Sequence, residues 1–252
     1  MTIPTLAAAG AGGHRVYRWQ GREFPSVTAI LGGGVPKPLL PRWAAKVAAE
    51  YAIAHLDHLR RLPPGQAIRE VKQAPFTKRD DAAEVGDQIH AAVEAAASGQ
   101  PRPAVPDHAA GYLAGFDRFL ADHTPVWLAA EQTVYSRRYG YAGTFDTLAT
   151  LPGHGLTLLD VKTGNRVYPE VCLQLAAYAA ADFIGQPDTT TEELLPAIEA
   201  GAVLHLQPGG YQLLPVPIGR AVLEAFLSAL AVFRFTTDLA PTLLPAPDLN
   251  QL

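Results

Sequence analysis

Residues 143–164 read GTFDTLATLPGHGLTLLDVKTG. On either side of Pro152-Gly153-His154 the pattern takes the period of two that marks a β-hairpin. A turn centred on Gly153 sets Asp146 across from Asp160, and opposed residues on one face carry Cβ atoms about 4.5–5.5 Å apart. Lys162 comes two positions after Asp160 and shares its face, whereas Val161 turns the other way into the core. Phe145, Leu148, Leu158 and Leu159 flank this group. Two carboxylates and an ammonium therefore meet on one sheet face.

Beyond this hairpin, residues 126–138 read as the strand that precedes it. Residues 169–184 read as a helix after it, with Pro169 suited to the first turn. A second hairpin spans 202–207 and 211–216 across Pro208-Gly209-Gly210, and a last helix covers about 219–238. Upstream the period is helical. Residues 14–20 form a strand, and Pro25-Ser26 open a short helix that stops at Gly32-Gly33-Gly34. Leu39, Trp43, Val47 and Tyr51 pattern a helix over 38–62, and a further helix covers 66–73. The clearest amphipathic helix, 80–97, is capped by Asp80 or Asp81 and carries Val85, Ile89 and Val93. After the link QPRPAVP another helix covers 107–122. Helices flanking a central mixed sheet define an α/β (α+β) architecture. We divide it into a basic N-terminal elaboration (1–79), a core (80–240) and an extended tail (241–252).

The 252 residues are 48% apolar and 17% charged, enough to bury a sizeable core. No stretch approaches about 18–20 uninterrupted apolar residues, so no membrane partner is expected. The opening MTIPTLAAAGAGGHR lacks the basic-then-apolar order of a signal peptide, and a cytoplasmic protein is expected. The lone Cys172 excludes an internal disulfide, a four-cysteine zinc site and a cysteine-ligated iron–sulfur cluster within one chain. Any metal must be held by oxygen and imidazole. The net charge of −4 conceals an asymmetry: residues 1–79 hold 12 Lys+Arg against 4 Asp+Glu, and the remainder 8 against 20. Such asymmetry suits a polyanion-binding surface beside an acidic one, as well as ordinary solvated helix faces.

Two close carboxylates repel, and a divalent cation between them relieves the repulsion without proton uptake. Oxygen ligands of this kind suit Mg²⁺ or Mn²⁺. Charged Lys162 is no ligand, but it can orient or deprotonate a water, or stabilise negative charge in a transition state. The bland alternative is an exposed hairpin face with an incidental ion pair. On helix 80–97, Gly86, His90 and Glu94 recur every fourth residue, which makes His90 a candidate third ligand and Glu94 a possible addition. Gln174 and Tyr178 sit one turn apart on the helix after the hairpin, where they can hydrogen-bond a phosphate or a metal-bound water or serve as ordinary surface or core residues, and Glu131 in the strand before it is a further candidate for the metal cluster or the partner of a basic residue. Neither GAGG nor GGG is followed by the Lys-Ser/Thr of a P-loop, so a nucleotide-binding enzyme is poorly supported.

The segments VGDQIHAAVE, EQTVY, YAGTFD, LLDVKTG and QLAAY, in this order, resemble the RecB-like exonuclease branch of the PD-(D/E)xK nuclease superfamily. They cover about residues 84–180, and Phe145 stands where the superfamily's name has proline. The resemblance implies a restriction-endonuclease-like core. It implies His90, Asp146, Asp160 and the Val161 carbonyl as ligands of Mg²⁺ or Mn²⁺, Lys162 as the catalytic lysine, and Gln174 and Tyr178 in support. The cysteines of the iron–sulfur members are missing. The implied chemistry is phosphodiester hydrolysis by a DNA exonuclease acting on single strands or duplex ends in recombination, repair or phage replication. A recombination or annealing protein is a conceivable partner. The alternatives are a sequence- or structure-specific endonuclease of the same fold and a catalytically silent DNA-binding module.

The basic segment would then grip the nucleic-acid backbone. Arg42, Lys46, Lys78 and Arg79 are its candidates for phosphate contacts, with Trp43 for base stacking. For Trp43 the reading as a core anchor of helix 38–62 takes precedence over base stacking.

Overall fold

The computed structural model describes residues 8–9, 14–186 and 190–243. Strands β1 (Ala8–Ala9), β2 (Arg15–Trp19) and β3 (Arg22–Pro25) make a three-stranded sheet. The sequence did not announce β3. Gln20 and Gly21, both at positive φ (47° and 76°), build the tight hairpin turn that creates it. Ser26 then caps α1 (Val27–Gly34), its Oγ accepting from Ala29 N at 3.0 Å.

Helices α2 (Leu39–Ala54) and α3 (Leu56–Leu59) replace the single helix expected over 38–62 and part at His55. Next comes α4 (Pro64–Ala97), one unbroken helix where two were expected. Its interior Pro75 forfeits one backbone bond and does not end the helix, and Asp80 and Asp81 are interior residues rather than caps. The boundary drawn at 79/80 thus falls inside a helix. The chain groups into two units, residues 1–35 with 89–252, and residues 36–88. Within the smaller unit Val47 is buried and Glu70 accepts from Tyr51 Oη (3.3 Å) and approaches His58 Nε2 (2.9 Å).

In the larger unit α5 (Asp107–His123) precedes the meander β4 (Val126–Ser136), β5 (Tyr141–Leu151) and β6 (Gly155–Lys162). Helix α6 (Glu170–Ala179) ends earlier than expected, because residues 183–185 leave it to form β7 (Phe183–Gly185) beside β4. Then come β8 (Glu192–Leu194), β9 (Ala200–Gln207), β10 (Gly210–Val216) and α7 (Arg220–Arg234). A π-helical turn over Phe235–Leu239 leads into α8 (Ala240–Leu243). Residues 241–243 of the expected extended tail are therefore helical, and 244–252 lie outside the described residues.

The seven-stranded sheet has the order β10-β9-β6-β5-β4-β7-β8. Strands β6 and β9 are parallel, joined by a crossover through α6, and the other neighbours are antiparallel. Helices α1, α6 and α7 pack on one another and on the sheet around Phe145, Leu148, Leu158, Val203 and Phe226. Helix α5 packs on β9 and β10, where a Cβ on Gly115 would meet the Gly210 carbonyl oxygen. The chain is thus a mixed α/β protein with a mixed central sheet flanked by helices, and none of its described helices is long and apolar enough to cross a membrane.

Candidate metal and acid–base site

The hairpin of β5 and β6 pairs from Leu151↔Gly155 to Thr147↔Leu159, which leaves Asp146 and Asp160 across from each other on the next rung. On the far side of β5, the pairs Ala130↔Thr147 and Gln132↔Phe145 bracket Glu131 opposite Asp146. A β-bulge makes this alignment. Up to Trp127 the register is one residue different, and without the shift between Trp127 and Ala129 Glu131 would stand opposite Phe145. Glu131 itself has φ +48°, a left-handed conformation that costs a non-glycine residue about 1–3 kcal/mol and concentrates at functional positions. Three carboxylates from three adjacent strands therefore occupy one row.

His90 on α4 closes over this row. Its Nε2 lies 2.9 Å from the Val161 carbonyl oxygen, which can only accept, so Nε2 carries the proton. The other ring nitrogen, Nδ1, lies 3.5 Å from Asp146 Oδ2 and is the ring's remaining position for a ligand bond. Asp146 Oδ2 also accepts from the Val161 backbone N–H at 2.7 Å. Ligand atoms of His90, Glu131 and Asp146 all lie within 4.8 Å of one another. Oxygen donors with one imidazole fit Mg²⁺ or Mn²⁺, and nothing in the set is soft enough to favour thiophilic metals.

Asp160 is held on the neighbouring strand. Gln174 Nε2 donates to its Oδ1 at 2.9 Å, and Lys162 Nζ lies 2.5 Å from Oδ2, off the direction of a hydrogen bond to that atom. The Asp160 side chain is 2% exposed and that of Lys162 38%, so the pair runs from the interior to the surface. The other arm of the Gln174 amide reaches Tyr178 Oη at 3.4 Å. The buried Tyr178 ring packs against β5, where a Cβ at Gly143 would come within 2.4 Å of Cε1. Only glycine permits that approach.

Burial, with Asp146 and Glu94 adding repulsion, pushes the Glu131 carboxyl up to about 8, and Arg15 opposes this. Burial also raises Asp160, against the pull of Lys162. For Lys162 burial acts downward, but Asp160 and Asp146 outweigh it and hold the ammonium above its ordinary value. Burial keeps Tyr178 protonated well above the usual phenol range. The row thus has a carboxyl, Glu131, that holds its proton more tightly than usual at one end and the Lys162–Asp160 pair at the other.

The structure brings together His90, Glu131 and Asp146, and next to them Asp160, Lys162, Gln174 and Tyr178. It groups Glu131 with His90 and Asp146, whereas Asp160 is engaged by Lys162 and Gln174, and the Val161 carbonyl already takes the His90 proton. Glu94 is exposed one turn beyond His90 and acts on Glu131 only through its charge. In the unit 36–88, Arg42, Lys46, Lys78 and Arg79 are exposed and Trp43 is half-buried. Lys46 pairs with Glu50 at 3.5 Å, and Arg79 pairs with Asp80 at 2.7 Å and covers the Phe76 ring.

Sequence reasoning missed the rung beside the acids. Thr133 and Thr144 face each other at 3.1 Å, and Tyr17 Oη joins Thr144 Oγ1 at 3.0 Å with the Arg15 guanidinium over its ring. The period of two from Glu131 and Asp146 was a signal for both threonines. His205 was also missed, and it is visible only once β9 is paired with β6. Comparison of the chain with protein-family models and with curated proteins gives no match.

Proposed function

We propose that the chain is a divalent-metal-dependent deoxyribonuclease on a restriction-endonuclease-like core, acting as an exonuclease, as the ordered motifs around His90, Asp146, Asp160 and Lys162 imply. The observation that supports this most is the row Glu131–Asp146–Asp160 across three strands, with His90 against Asp146 and Lys162 against Asp160. His90, Glu131 and Asp146 would hold the ion, with Asp160 adjacent. When bound, such an ion neutralises charge at the scissile phosphate and makes water more acidic.

The chain's own groups supply the rest. The Val161 N–H fixes Asp146, and the Val161 carbonyl fixes the His90 tautomer, so both ligands are oriented before binding. Gln174 holds Asp160, and Asp160 aims the Lys162 ammonium. That ammonium is positioned to stabilise negative charge developing on the phosphoryl oxygens or to orient the attacking water. An ordinary surface ion pair would require neither a buried aspartate nor an amide shared between Asp160 and Tyr178.

The test is Mg²⁺-dependent release of nucleotides from end-labelled linear duplex, with a closed circle in parallel. Wild-type protein should degrade the linear substrate and spare the circle, while EDTA, Asp160→Ala and Lys162→Ala should each stop release. Cleavage of the circle would replace the exonuclease reading with an endonuclease one. No metal-dependent cleavage of either would refute the nuclease reading.

A further inference from the structure

Lys162 is the last residue of β6, and the six residues that follow it, Thr163–Tyr168, cross to α6. This loop is tied at two points. His205, on β9 directly beside Lys162 in the parallel register, is only 4% exposed, and its Nε2 donates to the Gly164 carbonyl at 2.6 Å. Three residues later Val167 packs against the main core. Between and beyond these ties the side chains point outward. Arg166 is exposed and has no ion pair among the described residues, and Tyr168 is 50% exposed. A large aromatic left half in solvent on a pinned backbone wants a flat partner, and the neighbouring guanidinium wants an anion. A nucleotide of a single strand offers both, since an unpaired base has a free π-face and its phosphate a charge. A base inside a duplex has neither face free.

We infer that the loop Thr163–Tyr168 is the contact for single-stranded DNA entering the site, with Tyr168 stacking on a base, Arg166 on a phosphate, and His205 as the residue that positions the loop through Gly164. This rests on the nuclease reading for its placement beside Lys162, but binding can be measured apart from cleavage. His205 touches neither the substrate nor the reacting atoms. Its buried imidazole replaces the solvent that would otherwise satisfy the Gly164 carbonyl, and so fixes where the segment after Lys162 leaves the sheet.

The probe is a labelled deoxyoligonucleotide of about 15 nucleotides, near the upper span of one such site, and the blunt duplex of the same sequence. Anisotropy is read in EDTA, so that no cleavage occurs. Tyr168→Ala and Arg166→Ala, both at surface positions, should each weaken single-strand binding at least about fivefold, with a smaller effect on the duplex. With Mg²⁺, KM for the single strand should rise and kcat stay within about twofold. His205→Leu, which lacks the donor, should weaken single-strand binding about threefold or more, and His205→Gln, which keeps an N–H, should recover most of it. Unchanged single-strand affinity in both surface variants, or equal losses on the duplex, would overturn the assignment of the loop. A His205→Leu protein that melts cooperatively and binds like wild type would overturn the role of His205. If wild-type protein cleaves nothing but these binding losses appear, the nuclease reading fails and the loop assignment stands. If it cleaves and the losses do not appear, the converse holds.

Discussion

The Glu131 carboxyl ordinarily titrates near 4.5, and burial against Asp146 and Glu94 moves it to about 8 in the folded chain. A raised acid binds its proton more tightly folded than unfolded. It therefore favours folding fully below about pH 4.5, and that contribution falls as pH rises and is gone above about 8. Glu131→Gln should accordingly melt at a higher temperature than wild type at pH 8.5 without metal, and at the same temperature near pH 4; the reverse order would contradict the burial of this group. Metal ligands must shed their protons, so Mn²⁺ should raise the melting temperature of the wild type more at pH 8 than at pH 6. That increment should vanish in Asp146→Ala at both pH values. Lys162 lies outside the ligand group, and Lys162→Ala should keep the Mn²⁺ increment while losing about 100-fold or more in nucleotide release.

Among the strands and helices, the site depends on how β5 is approached from both sides. The bulge in β4 brings Glu131 to Asp146, and the bare backbone at Gly143 brings Tyr178, and through it Gln174, to Asp160. Gly143→Ala drives a methyl into a ring that is buried and cannot swing away. It should cost about 1–3 kcal/mol in denaturant unfolding, the usual penalty of overpacking. Because the ring carries the Gln174 amide, nucleotide release should fall with it. A smaller side chain at 178 makes the control: Tyr178→Leu in the Gly143→Ala background should recover part of the stability and none of the hydrogen bond between Gln174 and the phenol oxygen.

Across the chain from end to end, positive charge is concentrated in residues 1–79 and negative charge in the rest. The acidic excess includes the row that would hold the ion, so on the proposed nuclease reading the contacts to the DNA backbone would come from the basic segment. Arg42 and Lys46 are exposed on α2, and the Lys46–Glu50 pair at 3.5 Å is a surface pair that a phosphate can displace at little cost. Reversing both charges should weaken DNA binding and reduce the slope of log affinity against log salt by about 2, one for each phosphate no longer neutralised. An unchanged slope would remove α2 from the nucleic-acid surface.

The hairpin was legible because its signal is local: Gly153 at φ +79° fixes the turn, the turn fixes the register, and the register places Asp160 and Lys162. His90, Gln174 and Tyr178 were legible for a similar reason, since helical spacing puts each on a definite face. Helix boundaries were less so, because Pro75 in α4 and the apolar run after Ala179 read the same in either outcome, and packing against β4 decided the second. Local pattern was thus sufficient for the meander, the helices around it and the identity of the polar groups on one face. The sequence left Glu131 open between the metal cluster and a basic partner, and only the folded chain sets it beside His90 and Asp146; that His205 stands beside Lys162 became visible in the folded chain alone. The first requires a one-residue bulge whose register shift leaves no mark in the alternation of β4, and the second requires a parallel pairing between strands separated by α6, β7 and β8, an adjacency that no local period encodes.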